Sequence, residues 1–383
     1  MMALPSMIMG PLPSGNLLKE ILLDHTRETP LHAQLKTCLR RLILRNFEDT
    51  SRFFSEAQLV DHLRVSQGTV RRALTDLAAD GMLEKRPARG TIVRKSPTAA
   101  SLQNLAIFLP EYFSSNITEV LTRLNVECLK RQVHLQSLFT HKGESLLRAY
   151  RQLRFPPRDG AVVLLANSPM ATAELLAALQ EKGYECVTVD TLLNDPLQRF
   201  VGVNNKVGIE LGMDHLISLG HRSIALLVNE PEASENILDR IATFENYHRN
   251  NGLSLHTKVF RAGTHIWESS AAAAFNVMEA IWKSKPRPTA IFTVSDSGAF
   301  SAIQWLLRRK ISVPEEISVL GFDGSDFGAM IHPSLSTVAN PFQAFTDTLF
   351  TMLDRKPMTE SRVFISPTLV VRESTGPVPH RAA

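Results

Sequence analysis

Cysteine is scarce: three occur in 383 residues, and Cys38, Cys128 and Cys186 stand far apart with no C-x-x-C spacing. That spacing argues against a disulfide framework and against a thiolate metal site, and it suits a reducing cytoplasm. No apolar run approaches the ~18 residues that a membrane span needs, so no membrane association is expected. No lysine or arginine precedes Lys19, so the basic start of a secretory signal is missing. Catalytic signatures are missing as well. No G-x-G-x-x-G follows the first strand-like run, and P-loop, G-x-S-x-G and H-E-x-x-H patterns do not occur. The twelve histidines do not cluster at metal-ligand spacing. The sequence therefore implies no metal and no cofactor. It points away from an enzyme, although sheets wound on both faces host many enzymes.

What the chain does carry is charge placed unevenly. Its net charge is only +4. Residues 1–96 hold 15 Lys and Arg against 10 Asp and Glu, whereas residues 97–383 hold 27 against 28. The whole excess sits in the first quarter, as expected of a nucleic-acid-binding head on a neutral body.

Residues 1–29 read as an N-terminal tail. From Pro30, Leu31, Leu35, Leu39, Leu42 and Ile43 recur at helical spacing. In "SEAQLVDHL" (55–63), Ser55 and Gln58 form a capping-box signature for a second helix. Ser66 caps a third, whose buried stripe is Val70, Leu74, Leu77 and Ala78 and whose outer face is Gln67, Gly68, Thr69, Arg71, Arg72 and Thr75. Gly81 stops it. "MLEKRPARGTIVRK" (82–95) then reads as two short strands around an Arg-Gly turn.

Helices, turn and basic hairpin together describe a winged helix-turn-helix over 30–96. The Arg71–Arg72 pair alone reads more readily as a solvated surface. Within segment 64–95, with eight basic residues against three acidic, it sits where a recognition helix meets the major groove. The expected DNA-contacting residues are Ser55, Ser66, Gln67, Gly68, Thr69, Arg71, Arg72, Arg89 and Gly90.

A polar stretch at 97–103 reads as a linker. From 104 to 375, apolar runs such as "NLAIFLP", "GAVVLLA", "SIALLVN" and "ISVLGFD" alternate with amphipathic helices. Runs of this kind indicate parallel sheets covered on both faces, and their number implies two doubly wound lobes. Residues 376–383 read as a C-terminal tail. Ligands bind beyond the carboxyl ends of strands in such sheets. Asp190, Asp296 and Asp323 sit there, and their joint placement suggests one shared site. Each singly reads also as a turn or cap residue, Asp296 as the N-cap of the next helix.

Two resemblances extend this reading. "PLHAQL", "FFSEAQL", "VSQGTVRRALTDLAADGML" and "ARGTIV", across 30–93, resemble the GntR family of bacterial regulators. Departures fall at Phe54, Ala57, Gln67 and Ala88, where that family's pattern has Pro, Arg, Arg and Gly. A glutamine at 67 suits bidentate pairing with adenine, worth about 1–3 kcal/mol of discrimination.

The body resembles the LacI/GalR regulators and their periplasmic sugar-binding relatives (type I periplasmic-binding-protein-like). Five stretches carry this: "DHLISLGHRSIALL", "RPTAIFTVSD", "VPEEISVLGFD", "HPSLSTV" and "PTLVVREST". Such a head on such a body is the layout of the bacterial arabinose-repressor group. The resemblance implies a homodimeric repressor of carbohydrate uptake or catabolism genes that binds double-stranded operator DNA and a sugar-like effector between its lobes. The implied ligand residues are Asp190, Arg240, Trp267, Ser295, Asp296 and Asp323. A salt bridge to Asp239 or Glu235 on its own helix is the alternative for Arg240, and lobe core the alternative for Trp267. An activator, or a body responding to a nucleoside or to no small molecule, remains open.

Overall fold

The computed structural model describes residues 13–26, 29–86, 90–94, 102–110, 115–140, 145–165, 169–195, 198–251, 255–265, 267–353 and 360–379. Arg89 and most of the linker read at 97–103 lie outside them.

The head begins with helices α1 (Leu31–Asn46), α2 (Glu56–Leu63) and α3 (Gln67–Ala79) and ends in an antiparallel hairpin, β1 (Leu83–Arg86) with β2 (Gly90–Val93). The Ser55 hydroxyl accepts the Gln58 N–H while the Gln58 side chain accepts the Ser55 N–H, a complete capping box on α2. Arg64, at φ 52°, turns the chain into α3, and Gly81, at φ 73°, ends it. The buried stripe of α3 is Val70, Ala73, Leu74 and Leu77. The sequence reading had Ala78 in place of Ala73, and Ala78 lies only at the edge of the core. Residues 15–20, placed by sequence in a tail, form a 3-10 turn, and Leu18 and Ile21 are buried in the head's core.

The first lobe runs β3 (Asn104–Pro110), α4 (Ser115–Arg131), β4 (His134–Thr140), α5 (Leu146–Tyr150), β5 (Gly160–Leu164), α6 (Pro169–Lys182), β6 (Glu185–Val189) and β7 (Phe200–Val203). The second follows with α7 (Asn205–Ser218), β8 (Ser223–Val228), α8 (Glu235–Asn251), β9 (His256–Arg261), α9 (Ser270–Lys283), β10 (Ala290–Thr293), α10 (Asp296–Arg308), β11 (Ser318–Asp323) and β12 (Ser336–Ala339). The chain then returns to the first lobe for α11 (Phe342–Leu353) and β13 (Arg362–Ile365), and crosses again to β14 (Thr368–Val370).

The sheet orders are β13-β7-β6-β5-β3-β4, all parallel, and β14-β12-β11-β10-β8-β9, parallel except for β14. The body is thus α/β with two six-stranded lobes joined by three crossings. The apolar runs follow from burial on both sheet faces. In β3, Leu105, Ile107 and Leu109 enter one core while Ala106 and Phe108 enter the opposite one. In β8, Ile224, Leu226 and Val228 alternate in the same way with Ala225 and Leu227. Successive strand side chains point to opposite faces, so a strand covered on both sides must be apolar throughout.

His221 holds the chain end to the second lobe. Fully buried, it contacts Thr289 Oγ1 at 2.9 Å, Ser318 Oγ at 3.1 Å and the Gly376 carbonyl at 3.0 Å. Residues 376–378, read as tail, are therefore packed against the lobe, with the Val378 N–H donating to the Leu219 carbonyl. Among the described residues no helix is long and apolar enough to cross a membrane.

Trp305 is the largest fully buried side chain and sits in the second lobe's outer core. Trp305→Ala is expected to lower stability by about 3–5 kcal/mol, through lost burial and the cavity left behind. Chemical denaturation followed by circular dichroism checks this. A loss below ~1 kcal/mol would mean that the surrounding helices collapse into the space.

Candidate functional site

On the head, the outer face of α3 is open. Gln67, Gly68, Arg71, Arg72 and Thr75 are exposed and Thr69 is half-buried. Two expected contact residues also do local work. Ser66 Oγ accepts the Thr69 N–H at 3.1 Å and lies 2.8 Å from Thr69 Oγ1, and Ser55 caps α2. Gly90, at φ 80°, opens the second hairpin strand where a left-handed backbone favours glycine.

Sequence reasoning missed Glu56. Its carboxylate bonds Lys85 of the hairpin at 2.9 Å and Arg71 of α3 at 3.4 Å. Lys85, with Arg71 second, holds this carboxyl below its usual pKa. Glu56 thereby aligns one cation from the helix with one from the wing. Arg52 was missed too. It pairs with Ile92 in an isolated antiparallel bridge beside the hairpin. The acidic partner in "SEAQ" carried no sequence signal beyond its nearness to the cap.

Between the lobes lies a cleft whose lining includes Asp190, Glu230, Glu235, Arg240, Ser295 and Asp323. Asp190, at the end of β6, takes φ 52° and accepts the Val203 N–H on Oδ1 at 3.0 Å. Arg240 projects from α8. Its Nε donates to Asn205 Oδ1 at 2.9 Å, its Nη1 donates to the Val294 carbonyl, and Asp323 Oδ1 lies 3.6 Å away. The guanidinium also lies over the Phe322 ring, 3.5 Å from its centroid. Neither Asp239 nor Glu235 is its partner; the ion pair crosses to β11 instead. The helix could not have supplied these contacts, since they come from the starts of α7 and α10 and the end of β11.

Ser295 begins α10 as its N-cap residue, which corrects the placement of Asp296 there by one position. Its hydroxyl donates to Glu230 Oε1 at 2.8 Å and accepts from Asn229 Nδ2 at 2.7 Å. Ser297 and the Asn229 amide also reach Glu230 Oε1, both at 3.3 Å. Gly298 permits this close packing, because a Cβ there would overlap the Asn229 carboxamide. Burial pushes the carboxyls of Asp190, Glu230 and Asp323 above their usual pKa range, with Arg240 acting in the opposite direction on each. Asn229 and Glu230, missed by sequence, lie just past β8 and satisfy the strand-end rule that singled out the three aspartates.

Two expected ligand residues fall elsewhere. Asp296 does not line the cleft. Its carboxylate accepts the Ser325 N–H at 2.7 Å and the Thr337 hydroxyl at 2.6 Å, tying the loop after β11 to β12. Burial raises its pKa to about 7. Trp267 is half-buried in the turn after β9 at φ 82°, off the cleft lining. Among the described residues no His, Cys, Asp or Glu cluster could hold a metal ion.

A chain of contacts runs from the cleft to the head. The segment after Asp190 is knit by Gln198, which receives the Leu193 N–H and donates to the Thr191 carbonyl, both at 2.8 Å. Arg362 of β13 donates to the carbonyls of Leu193 and Asp195. Asp195 then pairs with Arg41 of α1 at 2.9 Å. Four residues therefore separate a cleft carboxyl from a salt bridge to the head.

Residues 31–93 match the gntR family of bacterial regulatory proteins, and residues 213–375 match a periplasmic binding protein-like domain. An arabinose metabolism transcriptional repressor of Halalkalibacterium halodurans is 25% identical over 343 residues, 84% of this chain and 90% of that protein. The HTH-type transcriptional repressor PurR of Aliivibrio fischeri is 27% identical over 289 residues, 74% of this chain and 84% of that one. A LacI family transcriptional regulator from Enterococcus faecium, solved with bound ribose, shares the fold at a TM-score of 0.61 and 20% identity, covering 72% of this chain and 99% of that one. The chain thus joins a gntR-type DNA-binding head to a periplasmic-binding-protein-like body, and it is a transcriptional regulator rather than an enzyme.

Arg71→Ala is expected to weaken binding to every duplex and to flatten the plot of log affinity against log salt by about one unit. Fluorescence anisotropy on operator and random DNA reads both effects. An unchanged slope would place Arg71 away from phosphate.

Proposed function

We propose that this gntR-headed, periplasmic-binding-protein-like regulator is a homodimeric repressor of genes for carbohydrate uptake or catabolism, working in the cytoplasm and controlled by a sugar-like ligand held between its lobes. The observation that carries this reading is the continuity from cleft to head: Asp190 lines the cleft, and Asp195 of the same segment grips Arg41 of α1. The arabinose-related relative and the ribose-bound fold neighbour support a sugar as effector. The chemistry suits the task. Carboxylates and a guanidinium hold hydroxyls through charge-assisted hydrogen bonds.

On this reading, α3 lies in the major groove, with Gln67 and Thr69 toward base edges and Arg71, Arg72 and Arg89 toward phosphates. Two heads in a dimer must match half-sites spaced by whole helical turns, so a small rotation costs affinity. Ligand binding closes the lobes across the three crossings and moves the 190–199 segment. Arg41 carries that movement to the head. The ligand shifts DNA affinity only by its differential affinity for the two arrangements, typically about 1–3 kcal/mol.

A melting-temperature screen of sugars on the whole chain finds the ligand, because a compound selective for the folded body raises the midpoint by mass action. With that ligand, Asp323→Ala is expected to keep operator binding and lose the response. A normal response in that variant would move the site elsewhere. Arg41→Ala separates binding from transmission. Its ligand-induced melting shift is expected to equal that of the unmodified chain while the effect of ligand on DNA affinity falls several-fold. An undiminished effect would remove the 190–199 segment from the mechanism.

A further inference from the structure

The cleft's charges do not balance. Its described lining carries four carboxylates, Asp190, Glu230, Glu235 and Asp323, against a single cation, Arg240. Glu235 stands at the rim in the first turn of α8, where the helix dipole accommodates it. Glu230 and Asp323 are buried, and Asp190 is half-buried. Arg240 compensates one of them, and its donors are committed to Asn205, to the Val294 carbonyl and to Asp323.

Glu230 and Asp190 are held chiefly by neutral donors: Asn229, Ser295 and Ser297 on the first, the Val203 N–H on the second. An ionised carboxylate accepts about four hydrogen bonds, so acceptor capacity remains on both. Among the described residues, the lining offers a surplus of carboxyl oxygens and one guanidinium. Nothing in the described residues gathers these carboxylates into a metal-binding set, so an organic cation is the complement they call for.

We infer that the effector is an amino sugar or similar amine-bearing polyol, with its ammonium group seated among Asp190, Glu230 and Asp323. This rests on the reading of the cleft as a sugar site and narrows it. Hydroxyls of the ligand bond the lining as any sugar would. Burial favours the neutral form of these carboxyls, and an ammonium seated among them supplies the positive charge that favours their ionised form. Sugar phosphates and uronic acids are excluded by the same arithmetic, since each would add negative charge to a cleft already in excess.

The experiment sets each neutral pentose and hexose against its 2-amino-2-deoxy, N-acetylated, uronate and phosphorylated forms, using calorimetric titration and melting shifts on the full-length protein. The expected result is an amino sugar binding at least about tenfold more tightly than its neutral parent and its N-acetyl form, a difference of ~1.4 kcal/mol, with no binding of the acidic forms. A neutral sugar that binds as tightly as its amine, or any bound uronate or phosphate, overturns the inference and leaves the sugar-controlled regulator standing. Absence of binding by every sugar overturns both.

Glu230→Gln supplies a second test that keeps the hydrogen-bond acceptor but removes the charge. It is expected to erase most of the amine preference, read as the ratio of amine to neutral-sugar affinity within the variant, with circular dichroism of the unliganded variant checking that it is folded. An amine preference that survives both Glu230→Gln and Asp190→Asn would show that these carboxylates do not seat the ammonium.

Discussion

The body is organised around a costly act: holding one guanidinium and the carboxyl groups of Glu230 and Asp323 out of water where its two sheets meet. An isolated buried ion loses several kcal/mol of hydration, and breaking a buried pair costs about 3–5 kcal/mol. The fold meets this demand by bringing partners from distant segments. Arg240 from α8 is met by Asn205 at the start of α7, by the carbonyl after β10 and by Asp323 at the end of β11. Glu230, past β8, is met by serines at the start of α10. Each of these groups leaves the carboxyl end of a strand or the first turns of a helix. That is where an α/β sheet has unsatisfied room, and where its ligand must go.

The same geometry connects the lobe that carries Asp190 to the head. Three chain crossings join the lobes, and one lobe also carries the head's docking contacts through α1 and α6. The pair between Arg41 and Asp195 is partly exposed, so its energetic worth is small, about 1 kcal/mol or less. Its value is positional. It ties the segment that begins in the cleft to the helix that opens the DNA-binding head. A similar economy operates on the head itself. Glu56 and Glu84 each gather two cations, which orders the basic surface without greatly stabilising it.

Legibility differed between the two modules for a physical reason. The head is made of short local signals: a capping box, a second serine cap, a glycine stop and a hairpin, all within about forty residues of one another. Helix α3 differs from its sequence reading by one residue in the buried stripe. The body's strands were legible as apolar runs because burial on both faces leaves no polar alternation. The return of α11 and β13 to the first lobe was not, since nothing local marks which sheet a strand will join. Residues 15–21 and 376–378 lack periodicity and were read as tails, yet Leu18, Ile21 and Gly376 are bound into cores by contacts with residues far along the chain.

For the site, strand-end position led to Asp190 and Asp323, and family resemblance added Arg240 and Ser295. All four line one cleft. Position along a strand could not say which way a side chain turns, so Asp296 went to Ser325 and Thr337, and Trp267 stayed off the lining. The amino-acid order by itself determined the helices, the caps, the basic head and the alternation of buried runs with amphipathic helices, because propensity and periodicity act between near neighbours. Only the tertiary structure decided which buried charges meet, that Glu230 joins them, and that Asp195 reaches Arg41. Electrostatic partners are chosen by distance in space, and a chain that crosses three times between lobes makes that distance unreadable from the order of its residues.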